Sequence, residues 1–276
     1  HSFEVENLAL ILAQILGLNV ALARAGARGH DIGHTPFGHL GENFIRAKTG
    51  THFEHSIFGT VVAERIERRG RGLNLTQQTL DCIASHSKGK GKLTPVRDKS
   101  PEANVVMLAD KIAFIFSDAN DIFCRLRMFE NGKGKIKRLL NYFGLCQRER
   151  NLRVIDAIVR ESADAGFVSF EQSDESQKFH ELKTLMYDEI YFQLHWAELG
   201  ERLENAWRVI QRFECCAKID PLLIIALMTD LEALQFTDDN DAVTEENFAS
   251  FSVAEIIGDS REALEKIKMT NLPKII

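Results

Sequence analysis

The run from Glu102 to Asn120 constrains this chain most. Val105, Val106, Leu108, Ala109, Ile112, Ala113, Phe114, Ile115 and Phe116 make it apolar on almost every side at helical spacing. A helix of that kind has to lie at the centre of a helical assembly rather than on its surface. Yet it carries Asp110 and Lys111. Burying an unpaired carboxylate is costly, so Asp110 has to meet a cation. Phe114 and Asp118 follow it at i+4 and i+8, so one stripe of the central helix lines a polar cavity.

The remaining pattern is helical as well. Val5, Leu8, Leu12, Ile15 and Leu16 predict a first helix, Gly17 and Asn19 a break, and Ala21 to Ala25 a second helix that delivers His30 and Asp31 at its end. Gly33 and Thr35-Pro36 then open a loop. Further helices are expected over 57–66, 76–87, 136–143, 152–159, 179–192, 198–216, 221–236 and 253–267. Only Phe167-Val168-Ser169-Phe170 reads as a short strand. The fold class expected is all-α. The Lys- and Gly-rich stretch from Lys88 through Lys99 and the acidic stretch from Thr237 to Glu246 read as surface loops.

Composition narrows the function classes. A net charge of -6 gives no general attraction to nucleic acid or an anionic membrane, so any phosphate binding has to be local. The longest apolar run, Leu8 to Leu16, falls far short of the roughly 20 residues a membrane-spanning helix needs. Five cysteines without CxxC spacing suit a reducing, cytoplasmic setting better than a disulfide framework. The chain begins at His1 rather than Met and has no signal-peptide pattern, and the expectation is that further sequence precedes it.

Chemistry concentrates in Gly29-His30-Asp31-Ile32-Gly33-His34-Thr35-Pro36-Phe37-Gly38-His39-Leu40-Gly41-Glu42, which holds three of the nine histidines. Neighbouring His and Asp side chains diverge by roughly 100° on a helix, so they share an ion only if remote segments complete its shell. The set His1, His30, Asp31 and Asp110 supplies two imidazoles and two carboxylates. It suits Mn, Mg, Fe, Ni, Co or Zn with positions left for water. Around it stand His34, His39, Glu42, Glu54 and His55 as groups for proton transfer and orientation, with His39 and Glu42 one turn apart, while Lys111 is placed to neutralise a polyphosphate. His52, His86, His180 and His195 read as surface or satisfied core residues, with His86 the first exception to look for.

Together these residues resemble the HD-domain phosphohydrolases, and among them the deoxynucleoside triphosphate triphosphohydrolases (dGTPase-like enzymes). The similarity rests on His1-Ser2-Phe3-Glu4-Val5, on the His30 to Glu42 string, on Phe53-Glu54-His55 and on Leu108 to Phe114. It continues more weakly through Glu181 to Leu185 and Met228-Thr229-Asp230. The resemblance implies an HD-domain metal-binding core over 1–130 and a helical extension over 131–276 packed on that core, the two expected to form one continuous domain. It implies a divalent metal on His1, His30, Asp31 and Asp110, and roles in proton transfer and α-phosphate contact for His34, His39, Glu42 and His55. Glu54, Lys111, Phe114 and Asp118 become substrate-binding positions, with Lys111 on the phosphates and Asp118 on the sugar hydroxyl. The family reaction hydrolyses a dNTP to deoxynucleoside and triphosphate, usually in a homo-oligomer and in several members with an activating nucleotide.

Two positions depart from that pattern: Phe114 stands where Tyr is common, and Leu231 where Arg often follows Met-Thr-Asp. They keep open two other readings, an HD phosphohydrolase acting on another nucleotide or phosphoester, and a nucleotide-sensing subunit that does not turn its ligand over.

Overall fold

The computed structural model describes residues 1–87, 91, 93–125, 134–191, 197–238 and 242–273. His195, part of the 88–99 loop and part of the 237–246 loop lie outside them. Among the described residues the principal helices are α1 (Ser2–Ile15), α2 (Val20–Gly29), α3 (His39–Thr49), α4 (His55–Val61), α5 (Gln77–Ser85), α6 (Pro101–Asn120) and α7 (Gly134–Phe143). They continue as α8 (Gln147–Ala165), α9 (Asp174–Leu185), α10 (Ala197–Ile210), α11 (Pro221–Leu227), α12 (Asp230–Leu234) and α13 (Ser252–Leu264). No strand occurs among the described residues, and the chain is all-α.

Two corrections to the element pattern have local causes. The segment 167–170 is not a strand: Val168 and Phe170 are buried in a helical core, and the Ser169 amide bonds to Ser162 Oγ rather than to a neighbouring strand. The expected helix over 221–236 is two helices, because Met228 is extended and Thr229 starts a capping box with Glu232.

The chain forms two units drawn from alternating stretches, His1–His30 with Gln77–Leu194 and Asp31–Thr76 with His195–Ile276. In the first, α6 is the axis. Ser100 caps its N-terminus, Pro101 sets its first turn, and Val105, Val106, Leu108, Ala109, Ile112, Ala113, Ile115 and Phe116 are fully buried against α1, α2, α5 and α8. Burying a side chain of this size contributes about 1.5–3 kcal/mol, which is why the run holds the centre. Glu6 on α1 pairs with Arg24 (3.3 Å) and Arg28 (2.7 Å) on α2, which ties the His1 end of α1 to the His30 end of α2, and Glu102 accepts from the Asn19 amide at 2.9 Å, which ties the start of α2 to the start of α6.

In the second unit a separate core of Ile45, Phe53, Phe58, Leu203, Val209, Leu223, Ile225, Phe248 and Leu264 ties α3 and α4 to α10, α11 and α13. The loop between Asp31 and His39 is fastened within this unit by Asp230, whose Oδ1 accepts from the Phe37 amide at 2.8 Å. That contact gives the Met228-Thr229-Asp230 string a structural purpose.

Candidate active site and metal centre

In the first unit, His30 closes α2 and is fully buried. Its Nδ1 lies 2.7 Å from the Ala27 carbonyl, which can only accept, so the proton is on Nδ1 and Nε2 is the basic nitrogen. Nε2 is 3.7 Å from Asp110 Oδ1, and His1 Nε2 is 3.1 Å from the same oxygen. Asp110 Oδ2 is 3.1 Å from Lys111 Nζ. A lone-pair nitrogen, a second imidazole and a buried carboxylate converging in this way fit a divalent cation, the donor chemistry being borderline-hard N and O.

The structure adds residues that sequence reasoning did not place here. His86, also buried, repeats the His30 arrangement: its Nδ1 is 2.7 Å from the Ile83 carbonyl, and its ring meets His30 edge-on at 5.0 Å. Lys183 is buried, donates to the Gly91 carbonyl at 2.5 Å, and has its pKa pushed down to about 8 by burial and by the charge of Lys111. The Phe114 ring lies beneath Lys111 Nζ at 5.5 Å and packs against Tyr191 (5.3 Å) and Tyr187 (6.3 Å). Tyr191 donates its hydroxyl to Asp118 Oδ2 at 2.7 Å, while burial raises the Asp118 pKa despite that bond. A phenol therefore returns to the Phe114 neighbourhood from a distant part of the sequence, where no local signal marked it.

In the second unit His34, His39 and His55 are set by two glycines and one carboxylate. A Cβ on Gly33 would sit 2.2 Å from the Gly59 amide nitrogen and 2.3 Å from the His55 carbonyl, so only glycine lets this turn approach the start of α4. Gly38 adopts φ +59°, ψ -126°, a conformation open to glycine, and launches α3 with His39 in its first turn. The rings of His34 and His55 are then 4.6 Å apart, those of His39 and His55 6.0 Å and those of His34 and His39 6.4 Å.

Glu42 organises this group. Its Oε1 accepts from the His55 amide (2.8 Å) and His55 Nδ1 (2.6 Å), and its Oε2 from His39 Nδ1 (2.9 Å) and Arg46 Nη2 (3.2 Å). The first bond also satisfies an amide at the opening turn of α4. Burial works to raise the Glu42 pKa, but the hydrogen bonds and charges of His39 and His55 prevail and hold it far below the usual carboxylate range. With Nδ1 committed to Glu42, His55 turns Nε2 toward Asp31 Oδ1, 3.6 Å away, and Asp31, His34 and His55 form a group of close ligand atoms. Arg46 was not singled out from sequence, although its i+4 spacing from Glu42 made the pair readable. Glu54 is the N-cap of α4 with its carboxylate 2.9 Å from His52 Nε2, and Leu231 is exposed.

The HD domain family model matches residues 1–115. Residues 1–115 of this chain therefore make up an HD domain. It is 34% identical over 200 residues to a deoxyguanosinetriphosphate triphosphohydrolase-like protein of Desulfatibacillum aliphaticivorans, covering 69% of this chain and 56% of that protein. It is 33% identical over 209 residues to a protein of that description from Clostridium perfringens (74% and 58%). It is 43% identical over 121 residues to another from Caldanaerobacter subterraneus (44% and 34%). The chain spans a little over half the length of the first two. No helix among the described residues is long and apolar enough to cross a membrane.

Proposed function

We propose that this chain carries the catalytic part of a metal-dependent phosphohydrolase that cleaves a deoxynucleoside triphosphate into deoxynucleoside and triphosphate, with dGTP the first substrate to test. The observation that carries the reading is Glu42, a buried carboxylate with both oxygens fully engaged, holding His55 and His39 in fixed tautomers beside His34 and Asp31. A structural carboxylate has no need of three clustered imidazoles, whereas proton transfer at a phosphoester does. The relatives named as deoxyguanosinetriphosphate triphosphohydrolase-like supply the substrate class.

In this reading His1, His30, Asp31 and Asp110 hold the ion. A divalent cation bound there lowers the pKa of water and polarises a phosphoryl oxygen. Glu42 stays ionised and orients rather than titrates, so proton movement falls to His34, His39 and His55. Arg46 positions Glu42 from its outer side. Lys111 and Lys183, both buried in the first unit, balance the negative charge of the phosphates, and the Asp118 and Tyr191 pair presents a hydrogen-bonded oxygen edge to the sugar. Water attack on the α phosphorus leaves the triphosphate whole. Incubating the purified protein with each dNTP and Mn or Mg is expected to release inorganic triphosphate. Release of orthophosphate or diphosphate, or turnover confined to other phosphoesters, overturns the proposal.

A further inference from the structure

The strongest unassigned feature lies in the second unit, in the turn that follows α4. The helix passes into a π-turn over Val62–Ile66, and the backbone then enters the left-handed region at three consecutive residues, Arg68 (φ 53°, ψ 45°), Arg69 (φ 61°, ψ 48°) and Gly70 (φ 76°). Glycine or asparagine would make such a turn at little cost, and two adjacent arginines do not. Backbone strain of this kind persists where the surroundings fix it and often accompanies ligand binding.

The surroundings do fix it. The Gly72 amide bonds to the Glu67 carbonyl at 2.8 Å, the Leu73 amide to the Ala63 carbonyl at 2.7 Å, and Ser260 Oγ on α13 donates to the Ile66 carbonyl at 3.0 Å. Arg69 is engaged by Asp259 at 3.1 Å. Arg68 and Arg71 have no carboxylate within ion-pair distance among the described residues, although the chain as a whole is acidic. Arg71 Nε instead donates to the Arg68 carbonyl at 3.3 Å, which brings the two residues together. Between them is a cavity of about 400 Å³ lined by Arg68, Arg69, Arg71 and Gly72. None of these residues belongs to the histidine clusters.

We propose that this cavity binds the oligophosphate group of a small anion, gripped by the guanidinium groups of Arg68 and Arg71. Planar guanidinium forks match phosphate oxygens two at a time, which favours arginine over lysine here. No aromatic side chain lines the cavity, so recognition falls on the phosphates rather than on a base. The acidic neighbours Glu64, Glu67 and Asp259 limit the net charge of the turn and select a compact, highly charged ligand over a diffuse polyanion.

Titration calorimetry with inorganic triphosphate, in EDTA and at physiological salt, tests this without reference to catalysis. Arg68→Gly deletes one guanidinium and relieves one strained residue, so affinity for triphosphate at this site is expected to fall at least tenfold while the melting temperature holds or rises. Arg71→Lys, which keeps the charge and loses the fork, is expected to weaken binding severalfold. Arg148→Ala removes an exposed arginine of the other unit and is expected to change nothing. Heat contributed by the histidine and aspartate clusters is common to all four proteins, so the difference between them reads this cavity alone. Triphosphate binding that is equal in the wild type and Arg68→Gly, or lost equally in Arg148→Ala, overturns the proposal, as does a melting temperature lowered by Arg68→Gly.

Discussion

Glu42→Gln should uncouple the histidine cluster while leaving the side chain the same size. The carboxylate receives four hydrogen bonds, two from His55 (2.8 and 2.6 Å) and one each from His39 (2.9 Å) and Arg46 (3.2 Å). An amide keeps one acceptor oxygen. The fixed His55 amide claims that oxygen, so the new NH2 group faces His39 Nδ1 and the Arg46 guanidinium. His39 must change tautomer to accept, and Arg46 must swing away. Hydrogen bonds to charged groups contribute about 1.5–3 kcal/mol each, so losing one outright and weakening the others should destabilise by about 2–4 kcal/mol. For a chain of this size that corresponds to a fall of roughly 5–15 °C in melting temperature. Because Glu42 is held below its ordinary pKa of 4.5, its contribution is complete above that value and is lost only as pH falls further through the folded-state value. Thermal denaturation of both proteins from pH 8 down to pH 4 therefore predicts a gap that is constant from pH 8 to pH 5. A gap under about 1 °C, or one that closes already above pH 5, refutes the reasoning.

Gly33→Ala places a methyl group 2.2 Å from the Gly59 nitrogen, which forces the turn from α4; we expect a loss of about 1–3 kcal/mol in denaturant titration together with a fall in turnover. Lys183→Met removes a buried ammonium whose pKa is pushed down to about 8. Wild-type stability should climb as pH rises from about 8 to its ordinary 10.5, since the unfolded chain binds more protons there, and the variant should lack that climb while losing triphosphate affinity. Glu161, whose carboxylate accepts from the amides of Gln172 (3.0 Å) and Ser173 (2.9 Å), has its pKa lowered by those bonds against the opposing effect of burial. Glu161→Gln should destabilise at neutral pH, and the two melting curves should converge as pH falls below about 4.5.

Much of this was readable before any coordinates. The uniform apolarity of 102–120 required a central helix, and Asp110 within it required a polar partner, which the structure provides in His1, His30 and Lys111. The spacing of His39 and Glu42 gave their hydrogen bond. What was not readable depends on chain separation. Tyr191 reaches Asp118 across 73 residues, and Asp230 reaches Phe37 across 193, contacts that no local periodicity encodes. The left-handed arginines were hidden for the opposite reason, since propensity argues against that conformation at those residues. The 167–170 segment reads like a short strand because it is an apolar run buried in a core, but with no neighbouring strand among the described residues the Ser169 amide bonds to Ser162.

The central proposal is that His1, His30, Asp31 and Asp110 bind one divalent cation. Titrating the metal-free protein with Mn while recording its electron paramagnetic resonance spectrum should show one tight site per chain in the wild type and none in Asp110→Asn. Equal binding by the two proteins, or no tight site in the wild type, contradicts the account.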